Sequence, residues 1–205
     1  MNNHYSFKQR VCETAIKCSK IYMTEFIENS YLICSNAFTN NPYYVINAHA
    51  DNFQHLLGIH SLVPAKDFFD KCYDGTLTVN DFDFIKPHQD EKIVKGFVRR
   101  KISILPVALN IFHSDNIFVE ENFSKNRIIC SFATSDNLCT FGFENHRYSV
   151  PKTLLKGNEL NLRNSKPVDL VLKKSRSSKY FSEIVIGTSK ELELYLPAIK
   201  ELTKF

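Results

Sequence analysis

The sequence predicts an α+β fold, with helices first, a mainly antiparallel sheet afterwards and a helix at the end. Two observations indicate this class. Apolar residues recur at helical spacing through much of the first 112 residues, and short aromatic and β-branched runs separated by turn residues follow. Strands and helices do not alternate regularly, as a doubly wound parallel sheet would require.

The first 58 residues are predicted to form a helix, a hairpin and a short second helix. Strand-like runs over residues 31–38 and 43–50 flank the turn Thr39-Asn40-Asn41-Pro42, which suits a hairpin. A short helix over residues 51–57 would end at Gly58. The first helix is predicted over residues 7–27 from one apolar stripe, formed by Phe7, Val11, Ala15, Cys18, Tyr22 and Phe26.

Three further helices are predicted over residues 64–72, 79–84 and 90–112, with the turn Asp74-Gly75 between the first two. Pro106 must kink or end the long third one. Its apolar side is predicted to comprise Ile93, Val94, Phe97, Val98, Ile102 and Leu105.

The periodicity then changes to that of strands. Residues 116–123, 127–134 and 138–143 are predicted to form a meander, and residues 148–155 are extended at least to Pro151. A second strand pair, over residues 168–174 and 180–186, flanks a basic turn, and a helix over residues 189–202 closes the chain.

Composition indicates an ordinary folded protein. Its 205 residues are 43% hydrophobic, with 17 Phe and 9 Tyr, and disordered chains lack such material. We expect one domain over residues 1–205, with a helical part over about 1–112 and a sheet part over about 113–205. No apolar segment approaches the roughly 18 residues of a membrane span, and residues 1–10 lack the core of a signal peptide. We therefore expect a cytoplasmic protein with no membrane partner.

The six cysteines are expected to be free, buried thiols, because none forms a C-x-x-C pair and several lie in apolar runs. We expect no structural zinc. They are Cys12, Cys18, Cys34, Cys72, Cys130 and Cys139.

Positive charge is concentrated near the C-terminus. Residues 1–150 sum to about −1 and residues 151–205 to about +5. Lys173, Lys174, Arg176 and Lys179 form one cluster, and Lys95, Arg99, Arg100 and Lys101 form another. Such clusters attract phosphate backbones, although a solvated loop has the same composition.

Common nucleotide, metalloprotease and serine hydrolase motifs are absent. The chain contains no G-x-G-x-x-G, Walker A, H-E-x-x-H or G-x-S-x-G sequence, so no cofactor is expected. His55 and His60 lie five residues apart, which is not a helical metal pair. A two-metal carboxylate cluster is disfavoured because its candidate residues flank Pro87 and resemble helix-end charges; they are Asp81, Asp83, Asp90 and Glu91.

The most informative string is Asn52-Phe53-Gln54-His55-Leu56-Leu57-Gly58-Ile59-His60. A histidine among apolar residues is often a core residue bonded to a carbonyl. It can also transfer protons near neutral pH, which RNA self-cleavage through the 2′-hydroxyl requires. That reaction needs no metal where basic side chains stabilise the phosphorane, and this chain offers His55 and His60 for proton transfer and lysines and arginines for the charge.

The string F-x-H-L-x-G-I, here Phe53, His55, Leu56, Gly58 and Ile59, follows a helix and a predicted hairpin. It resembles a phage-associated nuclease family of the barnase/EndoU/colicin/RelE-like ribonuclease superfamily. The resemblance implies N-terminal helices packed on a curved antiparallel sheet, with an active site on its open face. It also implies metal-independent endoribonuclease activity, often against tRNA or translating mRNA, with His55 as the motif histidine.

The remaining candidate site residues come from chemistry alone. In Pro151-Lys152-Thr153, a lysine and a hydroxyl follow a strand and are candidates to contact a scissile phosphate, although a plain turn has the same sequence. Tyr43, Tyr148 and Tyr180 are candidates to stack on unpaired bases. The basic cluster of Lys173, Lys174, Arg176 and Lys179 is expected to hold the RNA backbone.

The favoured function is a toxin-like ribonuclease that cleaves RNA by 2′-hydroxyl attack, leaving a 2′,3′-cyclic phosphate. The alternative is a non-catalytic phage or mobile-element protein of the same fold that binds RNA or a host protein, such as an inhibitor of host defence. A third hypothesis is DNA binding by residues 95–101, whose opposite side resembles a core helix. RNA is the expected partner, with an immunity or host protein as a second candidate, and the oligomeric state stays open.

Overall fold

The computed structural model describes residues 6–114 and 116–205, and it confirms the α+β fold. The helices are α1 Phe7–Tyr22, α2 Phe53–Leu57, α3 Ala65–Asp74, α4 Glu91–Ala108 and α5 Ser189–Ile199. The strands are β1 Asn29–Cys34, β2 Tyr44–Ile46, β3 His60–Ser61, β4 Phe82–Asp83, β5 Phe118–Glu121, β6 Ser124–Lys125, β7 Ile128–Ile129, β8 Phe132–Ser135, β9 Cys139–Asn145, β10 Ser149–Lys156, β11 Lys166–Pro167, β12 Leu170–Ser175 and β13 Glu183–Ile186.

Nine of these strands form one curled sheet in the order β11-β5-β8-β9-β10-β2-β1-β12-β13. Neighbouring strands are antiparallel except β10 and β2, which run parallel. The predicted hairpin forms β1 and β2, and the predicted meander forms the consecutive run from β5 through β8 to β10. The N-terminal half therefore supplies two central strands of the sheet.

The two faces of the sheet bury different elements, as the two-residue period of a strand requires. In β1, Tyr31 and Ile33 belong to the main core under α1 to α4, whereas Leu32 and Cys34 belong to a second core. That second core includes residues of α5. All six cysteines are buried and free, as predicted.

The predicted helix over residues 79–84 is wrong. Asp81 Oδ2 accepts hydrogen bonds from the backbone N–H and the hydroxyl of Thr78, which closes a tight turn there. The chain then becomes extended, and β4 pairs antiparallel with β3 through Ser61 and Phe82. Residues 79, 82 and 84 are apolar at spacings that fit a short strand as well as a helix, and pairing with β3 decides between them.

The long helix α4 ends earlier than predicted, at Ala108, two residues after Pro106. A short 3₁₀ turn at Ile111–His113 follows. The predicted apolar side of α4 is only partly correct. Val94, Val98 and Leu105 are buried, but Ile93 and Phe97 are 55% and 46% exposed.

The pairing of β10 with β2 stops almost at once. Ser149 pairs with Ile46, and the Asn47 N–H donates to the Ser149 carbonyl. The chain then leaves the sheet through a 3₁₀ turn at Ala50–Asn52 and enters α2, which packs against β10 together with α4. The edge of β10 beyond Ser149 is thus flanked by a helix instead of a strand.

Gly58 ends α2 in the left-handed conformation, at φ +75°, and a Cβ there would lie 2.8 Å from Lys101 Cδ. Gly75 has the same conformation, at φ +74°, with open space around it.

We expect Gly75→Ala to lower the free energy of unfolding by about 1 kcal/mol. Gly58→Ala should cost about 1–2 kcal/mol more, because Lys101 must move from its hydrogen bond. Urea unfolding of both variants measures the difference, and equal losses would contradict this packing.

Candidate functional site

His55 lies on the solvent side of α2. Phe53, Leu56 and Leu57 of the same helix are buried in the main core, and the His55 side chain is exposed. The 3₁₀ turn before α2 is held by Asn52, whose Oδ1 accepts the His49 N–H at 2.8 Å. The apolar residues of the motif thus anchor the helix, and its histidine is left available for chemistry.

His55 faces a pocket of about 460 Å³, which we call the His55 pocket. Its volume falls within the range of small-molecule sites. The far wall is formed by the end of β9, the turn after it and the start of β10. The lining residues are Asn52, His55, Glu144, His146, Val150, Pro151 and Lys152.

A β-bulge places Lys152 in this pocket. The register between β9 and β10 shifts between Pro151 and Thr153, so Lys152 is the extra residue. Its Nζ forms an ion pair with Glu144 Oε1 at 3.1 Å, and both side chains are about 40% exposed. Thr153, by contrast, is buried, with its Cγ2 beside Gly142. The structure therefore brings Lys152 to His55 and turns Thr153 away from solvent.

Lys101 reaches the site from α4. Its aliphatic stem lies over Gly58, and its Nζ donates to the backbone carbonyl of His55 at 2.9 Å. Burial, and to a lesser degree the charge of Lys86, lowers the pKa of Lys101 to about 8. Burial likewise lowers the pKa of Lys86.

The same environment acts on the His55 imidazole. Partial burial is the largest cause that lowers its pKa below 6.5, and the charges of Lys101 and Lys86 lower it further. Asp51 opposes them more weakly. The imidazole is therefore predominantly neutral at pH 7, with positive charge beside it.

His60 is not among the residues that line the His55 pocket. It lies on β3, where its Nδ1 is 2.9 Å from Asp83 Oδ1. Asp81 pairs with Lys71 at 2.9 Å. Within residues 6–114 and 116–205, no three His, Cys, Asp or Glu side chains are grouped as metal ligands.

The four predicted RNA-binding residues lie at or near the β12–β13 hairpin and differ in whether their side chains are hydrogen-bonded within the protein. Lys174 Nζ donates to the carbonyls of Ser178 and Lys179, and Arg176 donates to the Ala48 carbonyl at 3.2 Å. Lys173 extends over the Tyr31 ring, and Lys179 is exposed. Lys173 and Lys179 are thus the two without a backbone carbonyl partner in the described part of the chain.

A comparison with protein families identifies the chain. The profile named phage-Barnase-EndoU-ColicinE5/D-RelE like nuclease4 matches residues 16–185. The chain belongs to this nuclease family. The expected family relationship is therefore confirmed, and the match includes His55, Lys101 and Lys152. Searches of curated proteins and of solved structures return no match. In the described part of the nuclease, no helix is long and apolar enough to cross a membrane.

Sequence reasoning did not single out four residues near this site: Asn52, Lys86, Glu144 and His146. Asn52 lies inside the motif string and was readable as a helix-entry residue. Glu144 and His146 lie about 90 residues downstream, and the β9–β10 pairing brings them to His55. No local spacing signals such a contact.

Lys101 predicts a pH-dependent stability. Its pKa is about 8 in the folded chain against 10.5 unfolded, so the unfolded state binds more protons between these values and folding becomes more favourable as pH rises. Lys101→Met should lack this gain. We expect the unfolding free energy of the nuclease, relative to Lys101→Met, to rise by about 1–2 kcal/mol from pH 7 to 9.5.

Urea unfolding at both pH values measures this difference. Buried cysteines, whose raised pKa values lower stability above about pH 9, contribute equally to both proteins and cancel. A constant difference across this range would contradict the burial of the Lys101 charge.

Proposed function

We propose that this nuclease is a metal-independent endoribonuclease whose catalytic centre is the His55 pocket. The observation that supports this most is the exposed, neutral imidazole of His55 in one pocket with a lysine and a second histidine. The family match supports nuclease chemistry. The histidines and the lysine of the pocket support RNA as the substrate. Transfer through the 2′-hydroxyl requires a base, an acid and positive charge near the phosphate, all available here as side chains.

His55 is proposed as the general base. A neutral imidazole accepts the 2′-hydroxyl proton as that oxygen attacks the adjacent phosphorus. The attack forms the 2′-oxygen–phosphorus bond and breaks the bond to the 5′-oxygen, which leaves a 2′,3′-cyclic phosphate. The lowered pKa keeps His55 in its basic form at neutral pH.

Lys152 and His146 are proposed to complete the reaction. Lys152 enters the pocket on the bulge and would exchange its contact with Glu144 for a phosphate oxygen. An exposed ion pair of this kind contributes little stability, so the exchange costs little. His146, on the opposite wall from α2, is proposed to protonate the departing 5′-oxygen. Lys101, held against the His55 carbonyl, is a positioning residue that also adds positive charge.

RNA backbone binding is proposed for the β12–β13 hairpin, chiefly through Lys173 and Lys179. Arg176 connects this hairpin to the site, because its guanidinium contacts the Ala48 carbonyl just before the turn that leads to α2. Phosphate contacts of this type position a substrate without reading its sequence. A toxin acting on tRNA or mRNA in the cell is the biological role proposed for such an activity.

The test is cleavage of total tRNA and of an mRNA in EDTA by purified protein, with products resolved on a denaturing gel. We expect the wild type to leave 2′,3′-cyclic phosphate ends and His55→Gln to lose about 10²–10⁴-fold in rate. His60→Gln is the matched control, because His60 is exposed and engages Asp83 instead of the pocket. Its rate should stay within about twofold of wild type.

The pH profile provides a second readout in the same assay. Protonation of His55 should lower the rate on the acid side, with a midpoint below 6.5 because the pKa of His55 is lowered. No cleavage of any RNA by folded wild type would contradict the proposal and favour a non-catalytic binding role. Equal losses in His55→Gln and His60→Gln would contradict the assignment of the base.

A further inference from the structure

A second and larger pocket opens on the other side of the β9–β10 turn. Its volume is about 560 Å³, and we call it the tyrosine pocket. One wall is the start of β2, a second is the β9–β10 turn, and the third is the C-terminal end of the chain. The lining residues are Asn41, Pro42, Tyr43, Tyr44, Val45, Asn145, His146, Arg147, Tyr148, Ala198 and Leu202.

The tyrosine pocket adjoins the His55 pocket. His146 lines both, and Tyr148 lies only two residues before Val150, which lines the His55 pocket. The two pockets therefore adjoin at the β9–β10 turn, on one surface of the molecule. A chain-like ligand with one group in the His55 pocket can place its neighbouring group in the tyrosine pocket.

Aromatic rings, a guanidinium and aliphatic side chains line the tyrosine pocket. The Tyr148 side chain is 41% exposed, and the Arg147 guanidinium lies 5.6 Å from its ring centroid. Tyr43 adds a second ring, and Ala198 and Leu202 add an aliphatic surface. The arginine of this pocket, Arg147, is the residue whose guanidinium lies over the Tyr148 ring, whereas Lys152 of the His55 pocket pairs with Glu144. A ring with a guanidinium beside it suits a flat aromatic group.

Two amides add hydrogen-bonding capacity. Asn41 Nδ2 donates to the Tyr44 hydroxyl at 3.2 Å, and Asn145 Oδ1 accepts from Ser149 Oγ at 3.1 Å. These contacts orient each amide, and among the described residues the opposite atoms, Asn41 Oδ1 and Asn145 Nδ2, make no hydrogen bond. Asn41 and Asn145 both line the pocket, so their amides lie beside its rings, and an amide group can pair with a nucleobase edge.

We propose that the tyrosine pocket binds an unpaired nucleobase of RNA, stacked on Tyr148, while the phosphate next to that nucleotide lies in the His55 pocket. This inference rests on the proposed ribonuclease function. Because a stacked base must leave its duplex, the substrate class is single-stranded RNA or a loop. Ala198 and Leu202 lie outside the residues matched by the family, 16–185, so the C-terminal segment of this chain contributes to base binding.

The test measures binding without cleavage. A fluorescein-labelled, single-stranded 2′-O-methyl RNA hexamer cannot undergo 2′-hydroxyl attack, and its anisotropy reports the dissociation constant. We expect Tyr148→Leu to weaken binding by about 5–100-fold, the range for loss of one base–aromatic stack, and Tyr148→Phe to bind as wild type does. The same hexamer annealed to its complement should bind at least tenfold more weakly than the single strand.

Phe97→Leu is the matched control. Phe97 is 46% exposed with Arg100 4.9 Å from its ring centroid, and it lies on α4 outside both pockets. Its affinity should equal that of wild type. Equal affinities for Tyr148→Leu and wild type, or for duplex and single strand, would overturn the inference.

The outcomes also separate this inference from the proposed function. RNA cleavage by wild type, with hexamer binding unchanged in Tyr148→Leu, would overturn the base site and leave the ribonuclease intact. Tyr148-dependent binding of the single strand, with no cleavage of any RNA, would support the base site and overturn the ribonuclease.

Discussion

The early end of the β10–β2 pairing is the constraint on which the candidate site depends. Parallel pairing at Ser149 and Ile46 aligns the two strands, and the chain then turns away through residues 50–52 into α2. Had β2 continued, a strand would cover the place that His55 occupies. Helix α2 packs there instead, and its His55 shares a pocket with Lys152, which is the extra residue of a bulge in the β9–β10 pairing. Bulges are over-represented next to active sites, where they re-aim a side chain.

Lys101 and Gly58 hold this arrangement together. A side chain at position 58 would meet the Lys101 stem, and the left-handed conformation there also favours glycine. With glycine, the stem lies close to the backbone and the ammonium reaches the carbonyl of His55. Burial removes water from the Lys101 ammonium, which disfavours its charged form and lowers its pKa. The consequence for the site is a neutral imidazole beside a cation, which is the state a general base requires.

Much of the fold was predictable because local periodicity decides it. The apolar stripe of α1 follows from spacing, and so does the order of the meander, although residues 127–134, predicted as one strand, form β7 and the start of β8. The helix predicted over residues 79–84 is wrong because apolar side chains at 79, 82 and 84 fit a short helix and a short strand equally well. Pairing with β3 makes part of this segment a strand. The exposure of Ile93 and Phe97 was missed for a related reason, since spacing shows a stripe but not how wide the partner surface is.

The site was predictable only in part. His55 could be found because it is the titratable residue within residues 53–57, its neighbours Phe53 and Leu56 are apolar, and a glycine ends the helix. From the sequence, Lys152 and Thr153 were equally good candidates to contact a phosphate. The bulge in β10 makes the lysine accessible and leaves the threonine buried. His146 and the contact of Lys101 with His55 depend on pairings across the sheet and between helices, for which no local pattern exists.

Burial and two lysines hold the His55 imidazole neutral in an accessible pocket. NMR titration of the histidine ring protons tests it most directly, with the His55 signal assigned by its absence in His55→Gln. We expect a His55 pKa below 6.5 in the wild type and a higher value in Lys101→Met. A His55 pKa at or above 6.5 in the wild type, or one that Lys101→Met leaves unchanged, would contradict it.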